Sequence, residues 1–213
     1  MAIRGTPGRP SAYSTAIAAS FAFLLASCGP AAPTRKQAME AGPLPSGSKS
    51  EDCLGQIWKA QSAPNKAFDR ANDLADGGPI SCSTGTSASE FAGALVAIRD
   101  AAARGDKSAL GAKVGLPLLY IDGHGRKREL DRAALAASAD EVFSPPVVAL
   151  LKRVTLDDLS VVPREGAFID LGAVWMVAGR TGGRPRIVTI DRQALDEAVG
   201  ARGKAQVEGA GRS

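Results

Sequence analysis

Residues 167–177 read AFIDLGAVWMV, an almost uninterrupted apolar run near the end of the chain. Turn sequences bound it, with Arg164-Glu165-Gly166 before the run and Thr181-Gly182-Gly183 after it. The run therefore predicts one strand over residues 167–178. Residues 156–163 and 184–191 are similar in character and predict a strand on each side. Three consecutive strands joined by short turns predict an antiparallel meander.

Helical periodicity dominates the residues before this meander. Ser87 and Glu90 have the spacing of a capping box. Apolar residues then recur every three or four positions as far as Gly105, at Phe91, Leu95, Ile98 and Ala102. This pattern predicts a long amphipathic helix with one buried face. Asp106 and Asp131 are suited to cap two further helices, and Ser144-Pro145-Pro146 is suited to begin another.

A predicted hairpin lies between these helices. Residues 116–121 and a short segment at residues 128–130 flank the turn sequence Asp122-Gly123-His124-Gly125. Pro117 indicates the start or the edge of a strand, because proline cannot donate to a sheet ladder. The order helix, helix, hairpin, helix and meander predicts an α+β domain over residues 84–192.

Element order and several phrases give this domain a resemblance to a known fold. KVGLPLLY, EVFSPPV, LGAVWMV and RIVTID resemble segments of the cystatin-like cone fold of the nuclear transport factor superfamily, including its SnoaL-like members. The resemblance runs from Ser87 to Arg192, about half of the chain. It implies a bent antiparallel sheet that wraps a long helix and leaves a pocket at the open end of the cone. Enzymatic members of the superfamily carry an Asp–His pair, or a Tyr and an Asp, in that pocket.

Residues 50–83 predict a helical flap in front of the α+β domain. Leu54, Ile57 and Trp58 share one helical face, and Pro64 separates this helix from a second, shorter one. The run Asp76-Gly77-Gly78-Pro79 ends the second helix. Three aspartates of that helix, Asp69, Asp73 and Asp76, share a face, which we interpret as solvent-exposed rather than as a cation site.

Two cysteines bracket the flap. In an oxidising compartment Cys53 and Cys82 are expected to form a disulfide that closes the flap onto the domain. Free thiols and a metal site are the alternatives. A metal site would need further Cys or His ligands, and the chain has one histidine.

The first thirty residues have the layout of an export signal. Arg4 and Arg9 precede an apolar stretch of residues 15–25, which is shorter than the roughly 20 residues of a membrane-spanning helix. The stretch ends in Leu25-Ala26-Ser27-Cys28, which resembles the lipobox of bacterial lipoproteins. This resemblance implies cleavage after residue 27 and a diacylglycerol on the Cys28 thiol. Gly29 is not the aspartate that retains many lipoproteins at the inner membrane, so the outer membrane, facing the periplasm, is expected. A plain signal peptide with a chance cysteine is the alternative.

Composition predicts flexible segments at both ends of the remaining chain. Residues 28–49 are rich in Pro, Ala, Gly and Ser and predict a tether. Residues 193–213 predict a polar tail with at most a frayed helix. Removal of residues 1–27 lowers the formal charge from +4 to +2, because Arg4 and Arg9 are lost and no acidic residue is. So small a charge does not indicate a nucleic-acid-binding protein.

Two residues are candidate proton-transfer groups. His124 is the only histidine and lies between two glycines, where an exposed turn residue is the more ordinary interpretation. Asp170 lies within the apolar run 167–177. Either burial raises its pKa and makes it a base, or it pairs with an arginine on a neighbouring strand. We favour the pair.

Tyr120 and Trp175 are candidate pocket-lining aromatics, although such side chains are more often core residues with a satisfied polar tip. The sequence contains no P-loop, G-x-S-x-G, H-E-x-x-H or C-x-x-C motif, and no cofactor or metal is predicted. These features favour a lipid-anchored, non-catalytic module that binds a ligand or an envelope protein. The alternatives are a small enzyme that uses Asp170 or His124 as a base, and an inhibitor or immunity-type protein with an exposed apolar patch near Trp58.

Overall fold

The computed structural model describes residues 46–210, with side chains for residues 50–203. The predicted signal, the lipidation site at Cys28 and most of the predicted tether lie outside this range. Ser46–Ala60 and Lys66–Asn72 form the helices of the flap, α1 and α2. The later helices are α3 (Ile80–Thr84), α4 (Ala88–Ala103), α5 (Lys107–Gly111), α6 (Arg132–Ala137), α7 (Ala139–Val142), α8 (Pro145–Leu151) and α9 (Arg192–Ala210).

The strands form two sheets. A two-stranded sheet in the flap consists of β1 (Leu74–Ala75) and β2 (Gly78–Pro79). The main sheet consists of β3 (Val114–Ile121), β4 (Lys127–Leu130), β5 (Leu159–Val162), β6 (Gly166–Ile169), β7 (Val174–Ala178) and β8 (Pro185–Asp191). The protein is therefore a mixed α+β fold, as the element order predicts.

The main sheet has the strand order β4-β3-β8-β7-β6-β5. All neighbours are antiparallel except β3 and β8, which run parallel. The prediction of an entirely antiparallel sheet is therefore wrong at this one pairing. Short turns determine hairpins locally, whereas β3 and β8 meet only after the chain has passed through three helices and further strands.

The predicted strand over residues 167–178 is wrong, because the chain reverses in its middle. Ile169 of β6 pairs with Val174 of β7, and the four residues between them form the turn. Asp170, Leu171 and Gly172 have φ values of 55°, 58° and 93°, the left-handed conformation that tight hairpin turns need. Asp170 therefore lies in a turn at the end of the sheet and not on a strand face.

Two further local predictions need correction. The start of the predicted strand 156–163 is a 3₁₀ turn, Leu156–Asp158, which Thr155 caps. Pro117 lies in the middle of β3, and β3 has β4 on one side and β8 on the other. The proline is tolerated there because the β3–β8 register is interrupted between Val114 and Leu119, and pairing with β4 begins only at Leu118.

The long helix α4 forms the centre of the core. Ser87 caps it by accepting a hydrogen bond from the Glu90 amide, as predicted. Phe91, Leu95 and Ile98 are at most 1% exposed. They pack with the inward side chains of the sheet and of α8, among them Leu118, Val174, Met176, Ile187, Ile190, Val147, Leu150 and Leu151.

The flap is closed by the predicted disulfide, Cys53–Cys82, which joins α1 to α3. Polar contacts hold the end of α1 against the β7–β8 turn. Gln61, directly after α1, donates through Nε2 to the Gly182 carbonyl at 3.4 Å and to Ser87 Oγ at 3.0 Å. The Gly182 amide donates to the Gly85 carbonyl at 2.8 Å. The Thr86 hydroxyl donates to the Gly183 carbonyl at 2.6 Å. The flap is thus part of the folded body.

The predicted polar tail is also different in the structure. Residues 192–210 form α9, and Leu195 and Ala198 are each only 2% exposed. The prediction that the folded domain ends at residue 192 is therefore wrong, because Leu195 and Ala198 of α9 are buried against the rest of the fold. Two apolar positions one turn apart are too few for a sequence pattern to indicate this burial.

Replacing Cys53 and Cys82 by alanine is expected to lower the free energy of unfolding by about 3–4 kcal/mol, because the disulfide closes a loop that the unfolded chain must otherwise close. Urea unfolding followed by tryptophan fluorescence measures this. Reductant should lower the free energy of unfolding of the unmodified protein by a similar amount. It should leave the free energy of unfolding of the double variant unchanged. A double variant as stable as the parent would show that the Cys53–Cys82 disulfide does not stabilise the fold.

Candidate functional site

Asp170 lies at the edge of a cavity of about 270 Å³ at one end of the sheet. Leu150, Val154 and Ile169 contribute apolar side chains to the lining, and Arg153, Asp158 and Arg202 contribute charged ones. The Asp170 side chain is 8% exposed. The cavity is therefore built where α8, the β6–β7 turn and α9 meet.

Two arginines bind the Asp170 carboxylate. Arg202 donates to both oxygens, and Arg153 donates to Oδ2 at 3.4 Å. The hydrogen bond to Asp170 holds the pKa of Arg202 above its usual range. Asp170 is thus ion-paired, although its partners come from helical regions and not from a neighbouring strand. Both oxygens of this carboxylate are therefore already occupied by guanidinium donors.

His124 is exposed at the tip of the β3–β4 hairpin. The nearby Asp122 carboxylate organises this turn by accepting from the His124 and Arg126 amides, at 2.8 and 3.1 Å, and from Arg126 Nε at 2.7 Å. Burial raises the pKa of Asp122, but these hydrogen bonds outweigh it and lower the pKa to about 2. The structure therefore gives the histidine an exposed turn position.

His124 and Asp170 do not converge on one site. Their hairpins lie at the same end of the sheet, but the β3–β4 and β6–β7 hairpins are centred three strand positions apart. At about 4.8 Å per strand the two turns are on the order of 14 Å apart. A joint proton-transfer role is excluded by this spacing.

Tyr120 belongs to the core. It is 2% exposed on the inward face of β3, and the Arg128 guanidinium lies 5.2 Å from its ring centroid. Burial raises the pKa of the phenol, and the nearby Glu141 carboxylate raises it further. Tyr120 does not line the cavity beside Asp170.

Trp175 lies on the opposite, outward face of the sheet. Its ring stacks obliquely on Phe168, with the centroids 5.1 Å apart. It contributes to an open hollow of about 370 Å³ together with Leu119, Ile121, Glu165, Val177, Val188, Thr189 and Asp191. These side chains are partly exposed or exposed. The four residues predicted to share a pocket therefore lie at four different places.

Two buried aspartates of the flap escape prediction. Asp69 is fully buried, and its carboxylate accepts from Trp58 Nε1 and from the Ser89 amide, both at 2.8 Å. Asp73 is 5% exposed and accepts from the Ser81 amide and hydroxyl at 2.8 and 2.6 Å. The prediction of a solvent-exposed acidic face is therefore wrong, because only Asp76 of the three aspartates is exposed. The donors come from other elements, which helical spacing alone does not reveal.

Trp58 itself offers no open apolar patch. Its ring is half-buried, and the cationic groups of Lys66 and Arg70 lie 5.5 and 4.9 Å from its centroid. Its indole nitrogen is already used by Asp69. This covering disfavours the inhibitor or immunity-type alternative, which needs an apolar surface here.

Comparison with protein-family models, with curated proteins and with solved structures found no match for this chain. Within residues 46–210 no cluster of three or more His, Cys, Asp or Glu side chains is arranged to hold a metal ion. Over the same residues, no helix has both the length and the apolar character that crossing a membrane requires.

Replacing Asp69 by alanine is expected to lower the free energy of unfolding by about 3 kcal/mol, because two buried donors lose a charged acceptor. Asp76→Ala is the matched control and is expected to cost less than about 1 kcal/mol, since Asp76 is exposed. Urea unfolding of the three proteins decides this. Equal stability of the parent and Asp69→Ala would show that this carboxylate does not join the flap to α4.

Proposed function

We propose that this protein is a lipid-anchored lipoprotein of the bacterial envelope whose folded part is a non-catalytic binding module. Leu25-Ala26-Ser27-Cys28 supports the anchor and the outer-membrane location facing the periplasm. The Cys53–Cys82 disulfide supports an oxidising compartment, where such bonds persist. The ion pairing of Asp170 and the exposed position of His124 support a role without proton transfer.

The cone-like arrangement is part of this proposal. The long helix α4 packs against the sheet through its buried face. Register irregularities in the β3–β8 and β7–β8 pairings support a bent sheet, since bulges bend strands. The order of a helix, a hairpin, further helices and four strands supports the resemblance to the nuclear transport factor superfamily.

The observation that carries the binding role is the outward face of the sheet. Apolar side chains gather around Trp175 on this face, where Leu119, Ile121, Val177 and Val188 line the hollow and Phe168 stacks on the indole. Their exposure is intermediate. A partly exposed apolar cluster of this kind is typical of protein–protein contact.

Charge argues for a different protein as the partner and against a second copy. Glu165 and Asp191 lie in the hollow around Trp175, and Lys127 and Arg186 border it as the register partners of Ile121 and Val177. A two-fold pairing centred on the hollow would oppose its carboxylates with those of the second copy. The surface fits an envelope protein that presents apolar side chains with basic residues toward the hollow and acidic ones toward its border.

The anchor is tested by the intact mass of the protein purified from its native envelope, compared with a Cys28→Ser variant. We expect loss of residues 1–27 and a gain of diacylglycerol and acyl mass on the parent. The variant should lack that gain. A full-length, unmodified parent chain would contradict the lipoprotein assignment.

The binding surface is tested by placing a photo-crosslinking residue at Val177, on the outward face, in the native envelope. Val96 is the matched control, because it is 44% exposed on α4, away from this face. We expect a defined crosslinked partner at Val177 only, and its loss when Trp175→Glu is added. Equal labelling at both positions, or a crosslink only between two copies of this chain, would contradict the proposal.

A further inference from the structure

A second concave surface lies at the other end of the sheet, between α4 and the start of β8. It is a groove of about 200 Å³. Ala94, Ala97 and Ile98 form an apolar wall on α4. The opposite side consists of Ala112, Lys113, Arg184, Pro185 and Arg186. None of its lining residues lines the cavity beside Asp170 or the hollow around Trp175, although Arg186 is the register partner of Val177 in that hollow.

The charge of this groove is strongly one-sided. Among the residues with described side chains, its lining contains three basic ones, Lys113, Arg184 and Arg186, and no acidic one. Glu90 stands beside it, 3.3 Å from Arg184 Nε. The groove with this neighbour therefore carries a net charge of about two positive units, because one of three cations is neutralised.

Protein contacts hold two of these cations in place. Arg186 Nη1 donates to the Ala112 and Val114 carbonyls at 3.3 and 3.4 Å. Arg184 is oriented through Nε by Glu90. Within residues 50–203 no acceptor binds the Lys113 ammonium or the Arg184 Nη groups. The Lys113 ammonium and the Arg184 Nη groups are thus unused donors, and those of Arg184 are also held in position by Glu90.

We propose that this groove binds the phosphate group of an organic phosphate monoester, whose carbon portion lies against the wall of Ala94, Ala97 and Ile98. A phosphate monoester carries a charge of about −1.5 to −2 at neutral pH, which matches the groove. The Nη groups of Arg184, the remaining donors of Arg186 and the Lys113 ammonium suit its oxygens. A carboxylate carries one negative charge and leaves half of the groove's charge uncompensated.

The test uses the full chain with Cys28→Ser, so that its outcome does not depend on the lipid anchor. Isothermal titration at low salt compares hexyl phosphate with hexanoate and with inorganic phosphate. We expect hexyl phosphate to bind with a Kd below about 1 mM. Hexanoate should bind about tenfold more weakly for lack of the second charge, and inorganic phosphate more weakly for lack of the apolar part.

The double variant Arg184→Gln/Arg186→Gln should weaken hexyl phosphate binding by about tenfold or more. Lys127→Gln/Arg132→Gln removes the same charge from exposed positions elsewhere and should leave binding unchanged. Arg186 also donates to the Ala112 and Val114 carbonyls, so its replacement can disturb the backbone there. Lys113→Gln is therefore a second variant, because it leaves these two hydrogen bonds intact. Absence of hexyl phosphate binding at about 5 mM, a concentration several times the expected upper limit of Kd, would overturn the proposal, as would equal loss in the control.

Flotation with vesicles that contain phosphatidic acid separates the two sources of such a phosphate. Vesicle binding that Arg184→Gln/Arg186→Gln abolishes would assign the ligand to a lipid headgroup. Hexyl phosphate binding without vesicle binding would assign a free phosphate monoester. Vesicle binding that both double variants reduce equally would overturn the groove as a site and show general charge attraction.

Discussion

The fully buried carboxylate of Asp69 is the contact on which the arrangement of this protein depends. It joins Trp58 of the flap to the first turn of α4, and a buried charge is stable only where donors satisfy it. The helix N-terminus adds a favourable dipole at the same point. These contacts hold the flap against the long helix, and the Cys53–Cys82 disulfide ties α1 to α3, the helix that directly precedes α4.

This fixed flap also positions the β7–β8 turn. Gln61 and Thr86 contact Gly182 and Gly183, whose backbone runs close to the end of α1. A Cβ at Gly182 would lie 3.0 Å from the Ile57 carbonyl, so a side chain there would strain the contact. Arg184 and Arg186 follow closely in the chain. The contact between Gln61 and Gly182 thus lies next to the residues that carry the charge of the basic groove.

Three surfaces of this protein differ in what they leave unused. At Asp170 the charges of the cavity are largely paired with one another, so little capacity is left for a ligand. On the outward sheet face, apolar area remains half-exposed around Trp175 and Phe168. In the groove of Lys113, Arg184 and Arg186, cationic donors remain. Unused apolar area and unused charge are what binding to a partner requires.

Local signals determined most elements of this protein from sequence alone. Short segments suffice to predict the helix caps, the apolar period of the long helix and the β3–β4 turn, because each depends on neighbouring backbone groups. The caps are Ser87, Asp106 and Asp131, the period is that of Phe91, Leu95 and Ile98, and the turn is residues 122–125. The parallel β3–β8 pair and the burial of Asp69, Asp73 and α9 were decided by tertiary structure. Each of these depends on groups that are distant in sequence, and apolar periodicity carries no information about which distant donor or strand will meet them.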